Sequence, residues 1–310
     1  MAHSSSKVLL SNDTQVQTYE TYAQVYDNLL CKCRGNQQTL VDIKSVENHF
    51  KKKSIVVTQA LAYGPNSVVF LGKQTSSGRI LALKIINKRC IENLGGNLIK
   101  RSVDYHKVHK SNKIAIVHEF ASINESYMSL VFDYYAGGSL ALLLRKNGPI
   151  QENVAQDIFK MVLQGLCYLH ICKIAHRNLK LENILLDEQN IPVVADFSAS
   201  IIAENNSNWE YLIATSLPYL APEVMSNIPY DPIIADIWSF GICLFSTLND
   251  CLPFGSSGKP KKLNYTLKFN SQLKKSLSES VQKCLNDSLQ FDVNKRATSF
   301  SLQAEQWFNK

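Results

Sequence analysis

The chain has 310 residues, 45% of them apolar and 19% charged, and 33 Lys and Arg against 26 Asp and Glu give it a formal net charge of +7. That apolar share supplies a large core and excludes wholesale disorder, and the length suits one large domain or two modest ones. The positive surplus permits an anionic partner, but it lies in short clusters along the whole length and selects none.

The opening MAHSSSKVLLSNDT has one Lys and then only three apolar residues in a row, too few for a secretory signal, so no export is expected. Residues 1–50 read as a polar extension, with Tyr19, Tyr22 and Tyr26 among Ser, Thr, Gln and Asn. The eight cysteines are scattered without a paired CxxC arrangement and read as reduced thiols. Cys31 and Cys33 lack His or Cys partners at ligand spacing. These features together predict a cytoplasmic protein, with the nucleus also open to it.

Three β-rich runs follow Lys51-Lys52-Lys53, at 54–61, 68–73 and 79–86, and Thr75-Ser76-Ser77-Gly78 predicts a hairpin between the second and third. A polar helical stretch around 98–109 precedes two further strand candidates, 114–120 and 128–134. After Gly137-Gly138 the apolar period changes from two to 3.6, with Val154, Ile158, Val162, Leu166 and Leu169 forming one stripe. Short β runs at 184–186 and 192–195 come next, then an apolar helix at 233–248 and weaker helices at 278–289 and 298–308. The apolar helix is interrupted by Asp236 and is shorter than the roughly 20 residues that cross a bilayer, so it reads as a core helix. Sheet first and helices second predicts an α+β fold of two lobes.

Four segments stand in a fixed order on the predicted elements: Leu81-Ala82-Leu83-Lys84 on the third strand, His176-Arg177-Asn178-Leu179-Lys180-Leu181-Glu182-Asn183, Asp196-Phe197-Ser198, and Ala221-Pro222-Glu223. With Tyr134-Tyr135-Ala136-Gly137-Gly138, Asp236-Ile237-Trp238-Ser239 and Arg296, they make residues 54–308 resemble a eukaryotic protein kinase of the serine/threonine type. Asn227-Ile228-Pro229-Tyr230, followed by Asp-Ile-Trp-Ser, looks most like the testis-specific serine kinase branch. The resemblance implies a two-lobed domain over 51–308, with a small β-rich N-lobe carrying one helix (51–134) and a larger helical C-lobe (135–308).

It also implies ATP and Mg²⁺ as cofactors and a role for each matched residue. Lys84 would contact the α- and β-phosphates, Asn183 and Asp196 would offer hard oxygens to Mg²⁺, and Lys180 would serve at the catalytic loop. Val69, Ala82 and Leu185 match the positions that sandwich adenine, behind a bulky Phe132. Gly64 lies in the phosphate loop, and Asp133 and Tyr135 lie in the hinge. Glu223 and Arg296 match a buried ion pair, and Asp236 the anchor of the catalytic loop. Taken alone, each has a plainer reading, as core, surface or snorkelling side chains.

The pattern then departs from the family. Asn178 stands where an aspartate deprotonates the substrate hydroxyl, and an amide takes no proton at neutral pH. The glycine loop retains only Gly64, with Ala62 and Ser67 at the other glycine positions and Pro65 removing a backbone donor. No glutamate stands near Arg101–Ser102 to pair with Lys84, Asp104 being the nearest acid. Ser198 replaces a hinge glycine, and Leu212 occupies the place of an activating threonine, leaving Arg177 without a phosphate there to clamp. Tyr211 or Thr215 could stand in for it, and Ser216 with Lys180 keeps the serine/threonine signature.

Two readings stand. One is a catalytically impaired pseudokinase that retains ATP and Mg²⁺ sites and serves as a scaffold or allosteric regulator of a signalling partner. The other is a slow or atypical serine/threonine kinase, since general-base assistance is worth roughly 10²–10⁴-fold. Either works on a protein partner or substrate, another kinase among the candidates. The clusters Lys51–Lys53, Lys100-Arg101 and Lys259–Lys262 lack interleaved aromatics, so no specific nucleic acid is expected.

Overall fold

The computed structural model describes residues 42–64, 67–89, 111–203, 217–226, 229–254 and 277–309. Several expectations therefore lie outside the described residues: the tyrosines and Cys31/Cys33 of the extension, Pro65, the helix around 98–109 with Arg101, Ser102 and Asp104, Tyr211 to Ser216, Asn227-Ile228, and Lys259–Lys262.

The first described element was not foreseen. Helix α1 (Ile43–Lys51) starts at Asp42, whose side chain accepts from the Ser45 N–H at 3.4 Å. Val46 and Phe50, one helical turn apart, are buried at 1% and 0% exposure. They pack with Ile55, Phe70, Leu83 and Ile85, so the last part of the expected polar extension is a seated helix and part of the domain core.

Strands β1 (Ile55–Tyr63), β2 (Ser67–Gln74), β3 (Ile80–Asn87), β4 (Val117–Ser122) and β5 (Tyr127–Asp133) form one antiparallel sheet in the order β1-β2-β3-β5-β4. The predicted β2–β3 hairpin is present, and its turn closes with the Gly78 N–H on the Gln74 carbonyl and Gly78 at φ 71°. Residues 114–116, expected at the start of β4, instead bond to the other lobe: the Ala115 N–H donates to the Val194 carbonyl at 2.9 Å. Alternation in sequence shows a strand but not its partner.

Register divides the sheet into two faces, because directly opposed residues share a side. Val69, Lys84 and Leu130 align on one face, with Leu71, Ala82 and Phe132. Val68 with Ile85, and Phe70 with Leu83 and Val131, align on the other, which α1 covers.

The second lobe begins with β6 (Gly138–Ser139) and helix α2 (Leu140–Asn147). A side chain on Gly137 would sit 2.5 Å from the Asp187 carbonyl, so this glycine permits the chain to pass against the strand that ends at Leu186. Ser139 then caps α2 by accepting from the Leu142 N–H at 3.2 Å. Helix α3 (Glu152–Ile171) buries Ile158, Val162, Leu166 and Leu169 of the expected stripe, whereas Val154, in its first turn, is exposed.

After α3 come β7 (Ile174–Ala175), the hairpin β8 (Ile184–Leu186) and β9 (Pro192–Val194), and β10 (Ile201–Ile202), which pairs with β7. The short α4 (Pro222–Met225) precedes α5 (Pro232–Asn249), an 18-residue helix long and apolar enough to cross a membrane by composition alone, but mostly buried in this lobe. Trp238, Phe240 and Phe245 of α5 form the core with Trp307 and Phe308. Helices α6 (Glu279–Ser288) and α7 (Ser299–Gln303), capped by Ser278 and Thr298, complete it. The order is that of the two-lobed α+β fold expected.

Candidate functional site

The hairpin β8–β9 sets the site. Ile184 opposes Val194, and the Ala195 N–H donates to the Asn183 carbonyl at 2.8 Å, so Asn183 and Asp196 emerge side by side from the open end. From the sheet above, Lys84 Nζ reaches Asp196 Oδ1 at 2.5 Å, linking residues 112 apart in sequence. Lys84 therefore has a partner among the described residues, and it is Asp196 rather than a helix glutamate.

Asn178 joins the same group. Its Nδ2 donates to Asp196 Oδ2 at 3.2 Å, while Asn183 Nδ2 donates to the Asn178 carbonyl at 2.7 Å. The Ser198 side chain lies near enough to favour the charged form of Asp196. Burial pushes the Asp196 pKa up, but the Lys84 charge and hydrogen bond, the Ser198 side chain and the Lys180 charge outweigh it and hold this carboxyl well below the usual range. Asp196 is thus an anion at neutral pH with donors on both oxygens.

A second carboxylate fixes the loop from behind. Asp236 accepts the backbone N–H groups of His176 and Arg177 at 2.7 Å each, and His170 Nε2 lies 3.2 Å from it. These bonds hold Arg177 at φ 61°, a left-handed conformation that costs a non-glycine residue about 1–2 kcal/mol. Asp196 is also left-handed, at φ 68°. His176 is fully buried, its Nε2 3.0 Å from the Ala195 carbonyl and its ring edge-on to Phe197 at 5.0 Å. Burial lowers its pKa below 6.5, against the opposing charge of Asp236. Below, Arg296 forks onto Glu223, with Nη2 to Oε2 at 2.9 Å, and stacks 5.1 Å from Trp238.

The residues expected to hold adenine lie on the Lys84 face of the sheet and beside the β8–β9 hairpin. Val69 and Ala82 lie half-buried on the Lys84 face of the sheet, and Leu185, also half-buried, packs with Tyr135 against Ala115, Val193 and Ala195. Walls neither sealed nor fully exposed suit a flat apolar ring. Burial raises the Tyr135 phenol to about 12, so it stays a neutral part of that wall. Asp133 is different: its carboxylate meets Arg79, with His118 Nε2 at 3.0 Å, on the opposite face of the sheet from Lys84. Gly64 closes the β1–β2 turn by donating to the Ser67 carbonyl at 2.7 Å, and a side chain there would meet Ser67 Oγ at 2.9 Å. Lys180 accepts the Asn183 N–H on its carbonyl at 2.9 Å, which ties it to the same loop.

The amide oxygen of Asn183 and the carboxylate of Asp196 are the hard donors that would hold Mg²⁺. No cluster of three or more His, Cys, Asp or Glu placed for a metal occurs among the described residues, so phosphate oxygens would have to complete the shell. The α1 helix, the Arg79–Asp133–His118 group and the approach of Asn178 and Ser198 to Asp196 went unseen in the sequence. Only the last had a signal there, a donor-bearing side chain at two of the departures from the family pattern, Asn178 and Ser198.

The protein kinase domain family matches residues 55–308. The chain is 30% identical over 268 residues to CBL-interacting serine/threonine-protein kinase 1 of Arabidopsis thaliana, covering 86% of this chain and 60% of that protein. It is 31% identical over 254 residues to CBL-interacting serine/threonine-protein kinase 17 of the same plant, covering 81% and 58%. To serine/threonine-protein kinase cds1 of Schizosaccharomyces pombe it is 28% identical over 323 residues, covering 98% and 68%. It therefore spans about 60% of the length of the plant relatives.

Proposed function

The chain belongs to the protein kinase family, and from that premise we propose that it is a catalytically impaired member, a pseudokinase that binds ATP in its cleft and acts by contact on a protein partner in signalling. The observation that carries this reading is the side chain of Asn178. Where a base should accept a proton, an amide donates a hydrogen bond to Asp196 at 3.2 Å. The general-base contribution, roughly 10²–10⁴-fold, is lost, and a typical kinase turnover of about 1–100 s⁻¹ falls accordingly.

What remains supports binding. Lys84 and Lys180 supply positive charge for phosphates, Val69, Ala82 and Leu185 supply apolar walls, and Asn183 and Asp196 supply oxygens for Mg²⁺. The domain in this reading runs from Asp42 to residue 308, and the testis-specific serine kinases are the branch its Asn-Ile-Pro-Tyr segment favours. The CBL-interacting relatives carry a protein partner in their names, and a partner protein, either another kinase or a non-enzyme, is the proposed target here too.

A slow serine/threonine kinase is the second reading, favoured by the intact Lys84–Asp196 pair at 2.5 Å. Thermal melting with ATP tests the nucleotide site, and phosphorylation of a generic peptide separates the two. ATP raises the melting temperature in both. Under the first, peptide phosphorylation stays at the level of Lys84→Ala; an ordinary rate abolished by Lys84→Ala would overturn it.

A further inference from the structure

Asn178 and Ser198, which read in the sequence as separate losses, converge in space on one carboxylate. Asp196 Oδ1 takes Lys84 Nζ at 2.5 Å, Oδ2 takes Asn178 Nδ2 at 3.2 Å, and the nearby Ser198 side chain favours the same carboxylate's charged form. Ser198 is placed for this by the tight turn 197–199, closed by the Ser200 N–H on the Phe197 carbonyl at 3.1 Å and tied again by Ser200 Oγ at 2.7 Å. We propose that Asn178 and Ser198 are positioning residues that, with Lys84, enclose Asp196 in a cage of donors, so that the site takes a nucleotide without needing a divalent cation.

The first argument is charge. An aspartate at 178 would set two carboxylates against each other, and such a pair needs a cation or a proton between them. With Asn178 the anion of Asp196 is balanced by Lys84, and Lys180 adds positive charge nearby. The attraction of an oxygen site for a divalent cation rises with the negative charge around it, and Asn178 leaves one carboxylate fewer beside Asp196.

The second argument is geometry. A cation drawing on Oδ2 displaces the Asn178 amide, which is only 8% exposed and would lose a bond it cannot readily replace with water. Asn183 adds little to oppose this, because its Nδ2 is committed to the Asn178 carbonyl at 2.7 Å and it offers one neutral oxygen. Lys180, whose charge reaches this carboxylate, remains to face phosphates.

The inference rests on the reading that the cleft binds nucleotide, and titration of the full chain with the fluorescent analogue mant-ATP, in EDTA and in excess Mg²⁺, tests it. The wild-type Kd is expected to change by less than about threefold between the two buffers, whereas in Asn178→Asp/Ser198→Gly Mg²⁺ tightens binding by about tenfold or more. Tightening of the wild type by tenfold, or a double variant as indifferent to Mg²⁺ as the wild type, would overturn the cage. Should the double variant not fold, the wild-type comparison alone still decides. If mant-ATP binds in neither buffer, the nucleotide reading fails, and the cage is judged by Mn²⁺ electron paramagnetic resonance on wild type and Asn178→Asp. Saturable loss of the free Mn²⁺ signal by the variant alone upholds the cage, and equal behaviour of the two refutes it.

Discussion

Asp236 and Asp196 both gather donors, and they draw them from different sources. Asp236, 1% exposed, accepts two backbone N–H groups at 2.7 Å and lies beside His170. Asp196, 22% exposed, is held by side chains: Lys84, Asn178 and Ser198. A backbone donor survives almost any change of residue, whereas a side-chain donor is made or removed by one substitution. The loop framework therefore rests on contacts that substitution does not remove, whereas the donors on Asp196 depend on which residues stand at 84 and 178.

The largest expected effect lies on the framework side. Asp236→Ala leaves the His176 and Arg177 N–H groups buried without an acceptor and should cost roughly 3–5 kcal/mol of unfolding free energy in a denaturant titration. A loss under about 1 kcal/mol would show that the loop holds its shape without this carboxylate. Next comes Phe50→Ala, which empties a fully buried site beneath α1 and should cost about 3 kcal/mol. If instead it is neutral, α1 is not part of the domain, and the framework begins where the family match does, at residue 55.

A smaller, graded effect concerns His176, which joins the two carboxylates through its N–H on Asp236 and its ring beside Phe197. Its folded pKa is depressed below 6.5 by burial, so its neutral form favours the folded state. That contribution is complete above pH 6.5 and is lost as the pH falls toward the folded value. Stability should decline as the pH falls below 6.5, and His176→Gln should flatten the decline; an unchanged slope would assign it to other groups.

Local patterns carried most of the fold. The β2–β3 turn, the α3 stripe beyond Val154, the caps of α6 and α7 and the Glu223–Arg296 pair all follow from residues a few positions apart or from matched motifs. What was not legible depends on partners distant in sequence. Val46 and Phe50 are two apolar residues in a polar stretch, and only the sheet they cover shows that they belong to the core. Asp133 looked like a hinge ligand until its register with Leu81 placed its carboxylate on the far face, with Arg79. Of the candidate site, Lys84, Asn183 and Asp196 do come together, but the bond from Asn178 to Asp196 spans 18 residues and needed the fold to bring it into view.

The central claim is that Asn178 limits chemistry in an otherwise assembled site. Transfer of the γ-phosphate to peptide, measured side by side for wild type and Asn178→Asp, tests it most directly. The account predicts wild-type turnover at least about 10²-fold below the usual kinase range of about 1–100 s⁻¹, with a rise of about 10²-fold or more in the variant. Ordinary turnover by the wild type, abolished by Lys84→Ala, would contradict it.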